Sequence, residues 1–583
     1  MPRNDAISIT SPMPPPPWAL LERELIRANS EHTRVFFDRY FDERGYLLCV
    51  ERWGALDGPD DAIENLTNVP ALYLIGGSDD LVAICQKAQE GHFRQYTEAR
   101  TEEVEFAREG MYYREFPVMF DWAHHQEGNA VTGTIGLCDP GDDRHIRRLK
   151  RFAGFFMEGD DLPGQIEVPN WDPEHRVIRS MFNGSRGSLL RRTTPLDWAG
   201  DRIEDGRFIL AHGERHYQDM LDHYIGYDDV AGDHPLNLAA TCMAFNAYVH
   251  TKDTKYRDWL LGYADAWVER TRANGGIIPS NIGLDGTIGG AADGRWWGGV
   301  YGWAHTTITP HTGEPKSRLG VARCLDGFGN ALILTGDRRY LEPWRTTLDG
   351  VNANSKVIDG VEMYPRMHND DGWYEWMPEP YDDGALELYY WSMDEADRGR
   401  VKSPWIDFLE GNNPGYPVEA LQRDIGVVRR KVQDMYNDPT TPDTRLSDNP
   451  NSFRPATVDA LVELTMGGTI PRVGRPLHTR LRYFDPRRAR PGLPPDVGAL
   501  VEGLTADETR VSLVNLNQLE PRTVVVQGGT YGEHQWTTVR VDGGEARPVD
   551  DRVLTVNLAP GAGARLTIGT SRYANDPTGD FPF

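Results

Sequence analysis

The chain has 583 residues, a formal net charge of −26 and a mean hydropathy of −0.55. That length exceeds one ordinary core and implies two or more domains. The acidity gives no general attraction to phosphate backbones, and no apolar run is long enough to span a bilayer, so neither nucleic acid nor a membrane is an expected partner.

Residues 1–20 read as an N-terminal extension without an apolar core or a small-residue cleavage site, so a cytoplasmic location is expected. Cys49, Cys85, Cys138, Cys242 and Cys324 are scattered, with no CxxC pair. Reduced thiols are expected, not a disulfide framework or a cysteine zinc site. No glycine-rich phosphate loop or dinucleotide fingerprint appears, so no cofactor is expected.

Four segments repeat one pattern: 71–92, 133–156, 247–271 and 331–351. Each has an apolar helix end, a short turn containing Gly or Asp, then an amphipathic helix. The turns stop one helix with Gly or a polar residue and cap the next with Ser, Asp or Thr. The long segments between them are rich in Gly, Trp, Tyr and Asn and read as functional loops. This recurrence resembles the (α/α)6 toroid of carbohydrate-active enzymes of the glycoside hydrolase and polysaccharide lyase type. It implies a toroidal catalytic domain over residues 21–470.

Residues 485–500 are rich in Pro and Arg and read as a linker. Beyond them, runs such as RTVVVQGG and RVLTVNLAPG alternate and are bounded by Gly, Asp and Pro. They predict a small antiparallel β-sandwich over 471–571, with 572–583 as a tail packing back on the helices. The fold class is thus mainly α with a β domain.

Sixteen Trp, 24 Tyr and 19 Phe, many beside Gly, Asp or Asn, suggest sugar-stacking faces. The stretch 120-FDWAHHQEGN-129 is read as helical from Asp121, with Asp121, His124, His125 and Gly128 on one face. Glu127 falls near the apolar side, where burial would raise its pKa as a general acid requires. Asp121-x-x-His124-His125 offers two ligands to a metal from one turn, but HExxH is absent and no metal is assigned.

Further along, Asn183 and Arg186 lie in a Gly-broken loop, and Arg186 is placed to clamp a carboxylate. Asn281 is read as a loop hydrogen-bonding group. In 295-RWWGGVYGWAHTT, glycines alternate with Trp296, Trp297, Tyr301, Trp303 and His305. So many glycines do not suit a core, and the run reads as a cleft wall. Tyr301 and His305, at i and i+4, form a candidate acid–base pair. Tyr374, Glu375 and Trp376 place a carboxylate between aromatics.

Hydrolysis of a glycosidic bond in an oligosaccharide or glycoside is the expected activity, with Glu127, Asp121 and Glu375 as acid–base candidates. His124, His125, Asn183, Arg186, Asn281, Tyr374 and the tryptophans would hold the sugar. Two alternatives stay open: β-elimination at a uronate by Tyr301 with His305 or His125, and carbohydrate binding without catalysis. The fold-level step to sugar chemistry is analogy.

Overall fold

The computed structural model describes residues 6–49, 59–98, 128–154, 157, 171–179, 232–290, 292–297, 302–303, 321–447 and 449–583. It also describes the backbone of the short strands Tyr112–Tyr113, Phe116–Pro117, Thr307–Ile308 and Pro315–Lys316.

Long helix α1 (Pro17–Tyr40) is followed by α2 (Val69–Ile75) and α3 (Leu81–Glu98), then α4 (Asn129–Cys138) and α5 (Asp143–Gly154). Next come α6 (Thr241–Thr251) and α7 (Thr254–Ala273), α8 (Leu325–Thr335) and α9 (Glu342–Asn352), α10 (Ala385–Ser392) and α11 (Tyr416–Asn437). All four helix–turn–helix segments of the repeat are therefore present. The two members of each pair differ in character. Every residue of α2 and α4 is buried, whereas α5 buries one stripe that includes Leu149 and Phe152. Helix α2 packs on α4, α4 on α6 and α6 on α8, while the π-helical turn Val462–Met466 packs back on α2. The amphipathic helices α1, α5, α7 and α11 pack outside this buried set, α1 on α11 and α5 and α7 on α6.

Local chemistry ends these helices as the sequence implied. Helix α2 stops at Gly76, whose φ is 126° and where a Cβ would lie 2.9 Å from the Leu493 carbonyl oxygen. Asp253 caps α7 by accepting from the Lys255 backbone N–H at 3.2 Å. Within the repeats, turns from buried helices to their partners are short. The long connections 41–68, 99–128, 155–234, 274–320 and 353–384 all lead into the amide ends of buried helices.

Two five-stranded sheets follow. One has the order β1 (Ile7–Ile9), β9 (Val553–Leu558), β6 (Arg522–Gly528), β2 (Leu481–Asp485), β3 (Arg490–Pro491). The other has the order β4 (Val497–Leu504), β5 (Glu508–Asn515), β10 (Gly563–Ser571), β7 (Gln535–Val541), β8 (Arg547–Asp551). Trp536 of β7 is fully buried, and its indole N–H donates to the Val526 carbonyl of β6 at 3.1 Å, joining the sheets.

Two details depart from the sequence reading. Residues 7–9, read as part of an extension, pair in parallel with 556–558. The segment read as a linker carries β3 and the start of β4, and its Arg490 is buried. Composition misled there, because Arg490 spends its charge on Asp79 and on the Tyr73 and Gly77 carbonyls of the helical part instead of on solvent. The tail residue Asp576 accepts from the Tyr248 hydroxyl at 2.7 Å and pairs with Lys252 at 2.7 Å, at the end of α6.

Candidate active site

The amide ends of four buried helices meet at a cavity of about 340 Å³. Asn68 stands at the N-cap position of α2, Ala130 lies in the first turn of α4, Leu236 and Ala239 belong to the 3-10 turn before α6, and Asp326 stands in the first turn of α8. Such ends collect unpaired N–H groups and a positive dipole end, a favourable setting for polar ligands and negative charge.

A hairpin from the β side closes the cavity. Gly468–Thr469 pairs antiparallel with His478–Thr479, and between them Arg472 and Arg475 exchange backbone hydrogen bonds of 2.8 and 3.2 Å. Residues 470–474 line the cavity. A Cβ on Gly474 would sit 2.2 Å from the Ala239 Cβ, so only glycine lets the tip approach this closely. Asn330 of α8 anchors the tip by donating to the Gly474 carbonyl at 3.0 Å.

This tip carries the charge. Arg475 is buried, and its Nη1 pairs with Glu387 Oε1 at 2.7 Å, while its Nε lies 3.9 Å from Asp326 Oδ1. Arg472 Nη2 reaches the same Glu387 oxygen at 3.1 Å. Burial pushes the Glu387 carboxyl up, but Arg475 and Arg472 outweigh it and hold the group below its ordinary value. Asp326 differs. Burial raises its pKa and wins over Arg475 and Arg472, because the guanidinium nearest to it is already engaged by Glu387. Two carboxyls share one guanidinium and titrate in opposite directions. Asp326 is 5% exposed and faces the cavity. A second carboxyl, Glu64, also lines the cavity, half-buried and accepting from Asn451 Nδ2 at 3.3 Å.

The predicted residues fall in several places. Asp121, His124, His125, Glu127, Asn183, Arg186, Tyr301 and His305 lie outside the described residues. Trp296 and Trp297 are half-buried and gather with Trp373 round His368, with ring centroids 4.8, 4.6 and 4.9 Å from that imidazole. Burial lowers the His368 pKa. Trp303 corrects the expectation of a stacking face. It is fully buried, and its indole N–H donates to the Ile278 carbonyl at 2.8 Å. The alternating glycines suggested an open wall, but this ring fills the volume behind it. Asn281 is likewise buried and donates to the Arg295 and Trp297 carbonyls at 3.0 and 3.3 Å, so it shapes the loop that presents the two tryptophans.

Glu375 is a second correction. It is exposed at φ 54° after the hairpin strand Gly372–Tyr374, with no buried setting to turn it into a general acid. Tyr374 beside it is half-buried. One face of Trp376 is covered by the Lys356 ammonium, 3.9 Å from the ring centroid.

Sequence reasoning passed over Asp326, Glu64, Glu387 and the arginines of the hairpin tip. One signal for Asp326 was present: an acid in the first turn of a helix apolar on every side has no solvent face to occupy. Nothing local marks Arg472 and Arg475, which meet α8 and α10 only through the tertiary fold.

A larger cavity of about 500 Å³ lies on the outer side, between α1 and α3. Arg34 and Asp80, both exposed, pair there at 2.6 Å, as in a surface groove. Among the described residues no helix is long and apolar enough to cross a membrane, and no group of three or more His, Cys, Asp or Glu is placed to hold a metal.

Among solved structures, the cellobiose 2-epimerase from Bacillus thermoamylovorans B4167 is 14% identical with a TM-score of 0.24, covering 64% of this chain and 100% of that one. A likeness that loose carries no weight for the fold or the site. No curated protein matches the chain. Residues 6–364, which span the buried helices up to α8 and its cavity-facing Asp326, match a family described as a domain of unknown function (DUF8034), and the chain belongs to that family.

Proposed function

We propose that the chain is a carbohydrate-active enzyme that hydrolyses a glycosidic bond in an oligosaccharide or glycoside. Its helical part, residues 21–470, is proposed to close as an (α/α)6 toroid, with a β-sandwich over 471–571. The observation that carries the reading is Asp326: a buried carboxyl with a raised pKa, facing a cavity that a second carboxyl, Glu64, also lines. Two carboxyls in unlike environments are the equipment for glycoside hydrolysis. Asp326, in its protonated form, gives its proton to the leaving-group oxygen. Glu64 takes a proton from the attacking water. Glu387 stays ionised against Arg475 and Arg472 and keeps those guanidiniums from capturing the Asp326 proton site.

Trp296 and Trp297 supply stacking faces, on a loop that Asn281 and Trp303 hold in shape. Asp121, His124, His125 and Glu127 precede α4 in the chain, Asn183 and Arg186 precede α6, and Tyr301 and His305 precede α8. These residues are proposed to orient the sugar from the same helix ends.

The test is a panel of neutral and acidic oligosaccharides, followed by reducing ends and by the ultraviolet absorbance of an unsaturated uronate. Reducing ends without absorbance, lost in Asp326→Asn and in Glu64→Gln, support the reading. Absorbance that survives both substitutions assigns elimination chemistry to Tyr301 and His305 instead.

A further inference from the structure

We infer that the cavity selects a sugar bearing a compact oxyanion (a carboxylate, phosphate or sulfate) and that Arg323, Arg454 and Arg472 hold that group; this rests on the carbohydrate reading above. The first ground is charge. A chain of net charge −26 nevertheless lines this cavity with three guanidiniums. Among the described residues, the carboxyls facing them are Glu64 and Asp326, and burial shifts Asp326 toward its neutral form. Glu387 stands behind the wall and is already matched by Arg475 at 2.7 Å.

The second ground is unused hydrogen-bonding capacity. Among the described residues, no carboxylate lies within ion-pairing distance of Arg323 or Arg454. Arg472 meets Glu387 most closely through Nη2, at 3.1 Å, and its side chain is 58% exposed. A guanidinium presents five N–H donors in a fixed fork that matches an oxyanion, and a neutral hydroxyl gives it nothing to balance its charge. Three like charges round one cavity repel, and an anion placed among them relieves that repulsion while meeting the unused donors. The tip that carries Arg472 is rigid: its turn is closed by two backbone hydrogen bonds, and Asn330 anchors it. The backbone that carries Arg472 is therefore fixed, and Glu387 holds its Nη2, before any ligand arrives.

The experiment is calorimetric titration of the full chain with glucuronate, glucose 6-phosphate, glucose 6-sulfate, glucose and inorganic phosphate, each at low and high salt. At least one acidic sugar should bind about tenfold or more tighter than glucose, a preference set by charge-assisted hydrogen bonds. Which of the three wins identifies the oxyanion. The preference should shrink to about threefold or less in Arg323→Gln and in Arg472→Gln, and fall with salt. Both side chains are exposed, so melting temperatures near wild type are expected for both variants. If Arg472→Gln nevertheless unfolds, Arg472→Lys keeps the charge, removes the fork and should still weaken the preference. Equal binding of glucose and all acidic sugars, or a preference untouched in the Arg323 and Arg472 variants, overturns the inference and leaves the carbohydrate reading intact. Binding of inorganic phosphate with no sugar bound, or no binding at all, overturns both.

Discussion

The buried helices are finished in opposite ways at their two ends. At the carbonyl ends of α2, α4, α6 and α10, groups from the β part and the tail meet the free carbonyls. Arg490 donates to the Tyr73 carbonyl at 2.8 Å, Arg482 to that of Leu137 at 2.6 Å, and Arg572 to that of Trp391 at 2.7 Å. The Leu493 N–H donates to the Ile75 carbonyl at 3.0 Å, and the Gly579 N–H to that of Val249 at 3.1 Å. Cations at helix carbonyl ends meet both the orphan acceptors and the negative dipole end. At the amide ends α2, α4, α6 and α8 open onto a cavity with a raised carboxyl, Asp326, and with two guanidiniums, Arg323 and Arg454, that among the described residues meet no carboxylate. The closed end spends its arginines on holding the chain together. The open end keeps polar groups in reserve, where they are costly to stability and available to a ligand.

The sharpest way to break this contrast is Asp326→Asn. At the open end it should lower turnover by about 10³-fold, the scale of a lost general acid, with the fold intact. The pH profile carries a second sign. An acid with a raised pKa is protonated up to that pKa, so wild-type activity should fall on the alkaline side as pH climbs through it.

Arg475→Met probes the wall between the two ends. It leaves Glu387 buried and stripped of its closest partner, and should cost about 3–5 kcal/mol in denaturant unfolding. A loss below about 1 kcal/mol would mean that the hairpin tip is not held by this pair.

Glu22 sharpens the comparison from the closed framework. Fully buried, it accepts from Thr465 Oγ1 at 2.9 Å and from the Ala499 N–H at 3.0 Å, tying α1 to the π-helical turn and to β4. Burial raises its pKa from 4.5 to about 7. A raised acid favours the folded state while protonated, so its contribution is full below about pH 4.5 and lost as pH rises through about 7. Glu22→Gln should therefore stabilise by up to about 3 kcal/mol at pH 8 and change little at pH 5, read from melting temperatures across pH. A stabilisation equal at both pH values would contradict the titration.

Trp296→Ala is the smallest expected effect. A stacking face is worth about 1 kcal/mol, so KM should rise roughly fivefold with little change in kcat or melting temperature. An unchanged KM would remove this tryptophan from the site.

The sequence made the closed architecture more legible than the site. Apolar all-round helices, Gly stops such as Gly336 and alternating β runs are local signals: each of the four helix pairs is present, and RTVVVQGG and RVLTVNLAPG are the strands Arg522–Gly528 and Val553–Leu558. Short strands such as Arg490–Pro491 were missed because Arg and Pro disguise them, and Ile7–Ile9 because its partner lies at the other end of the chain. The site was less legible because its chemistry comes from pairs far apart in sequence, such as Glu387 with Arg475 and Glu64 with Asn451. Glycine spacing marks Trp296 and Trp297, which are half-buried round His368, and the same spacing wrongly places Trp303 on the surface of the cleft.

The most direct measurement is single-turnover hydrolysis across the oligosaccharide panel by wild type, Asp326→Asn and Glu375→Gln side by side. Loss of turnover in Asp326→Asn with wild-type rates in Glu375→Gln is the predicted result. Wild-type turnover in Asp326→Asn would contradict the account and move the chemistry away from the amide ends of the buried helices.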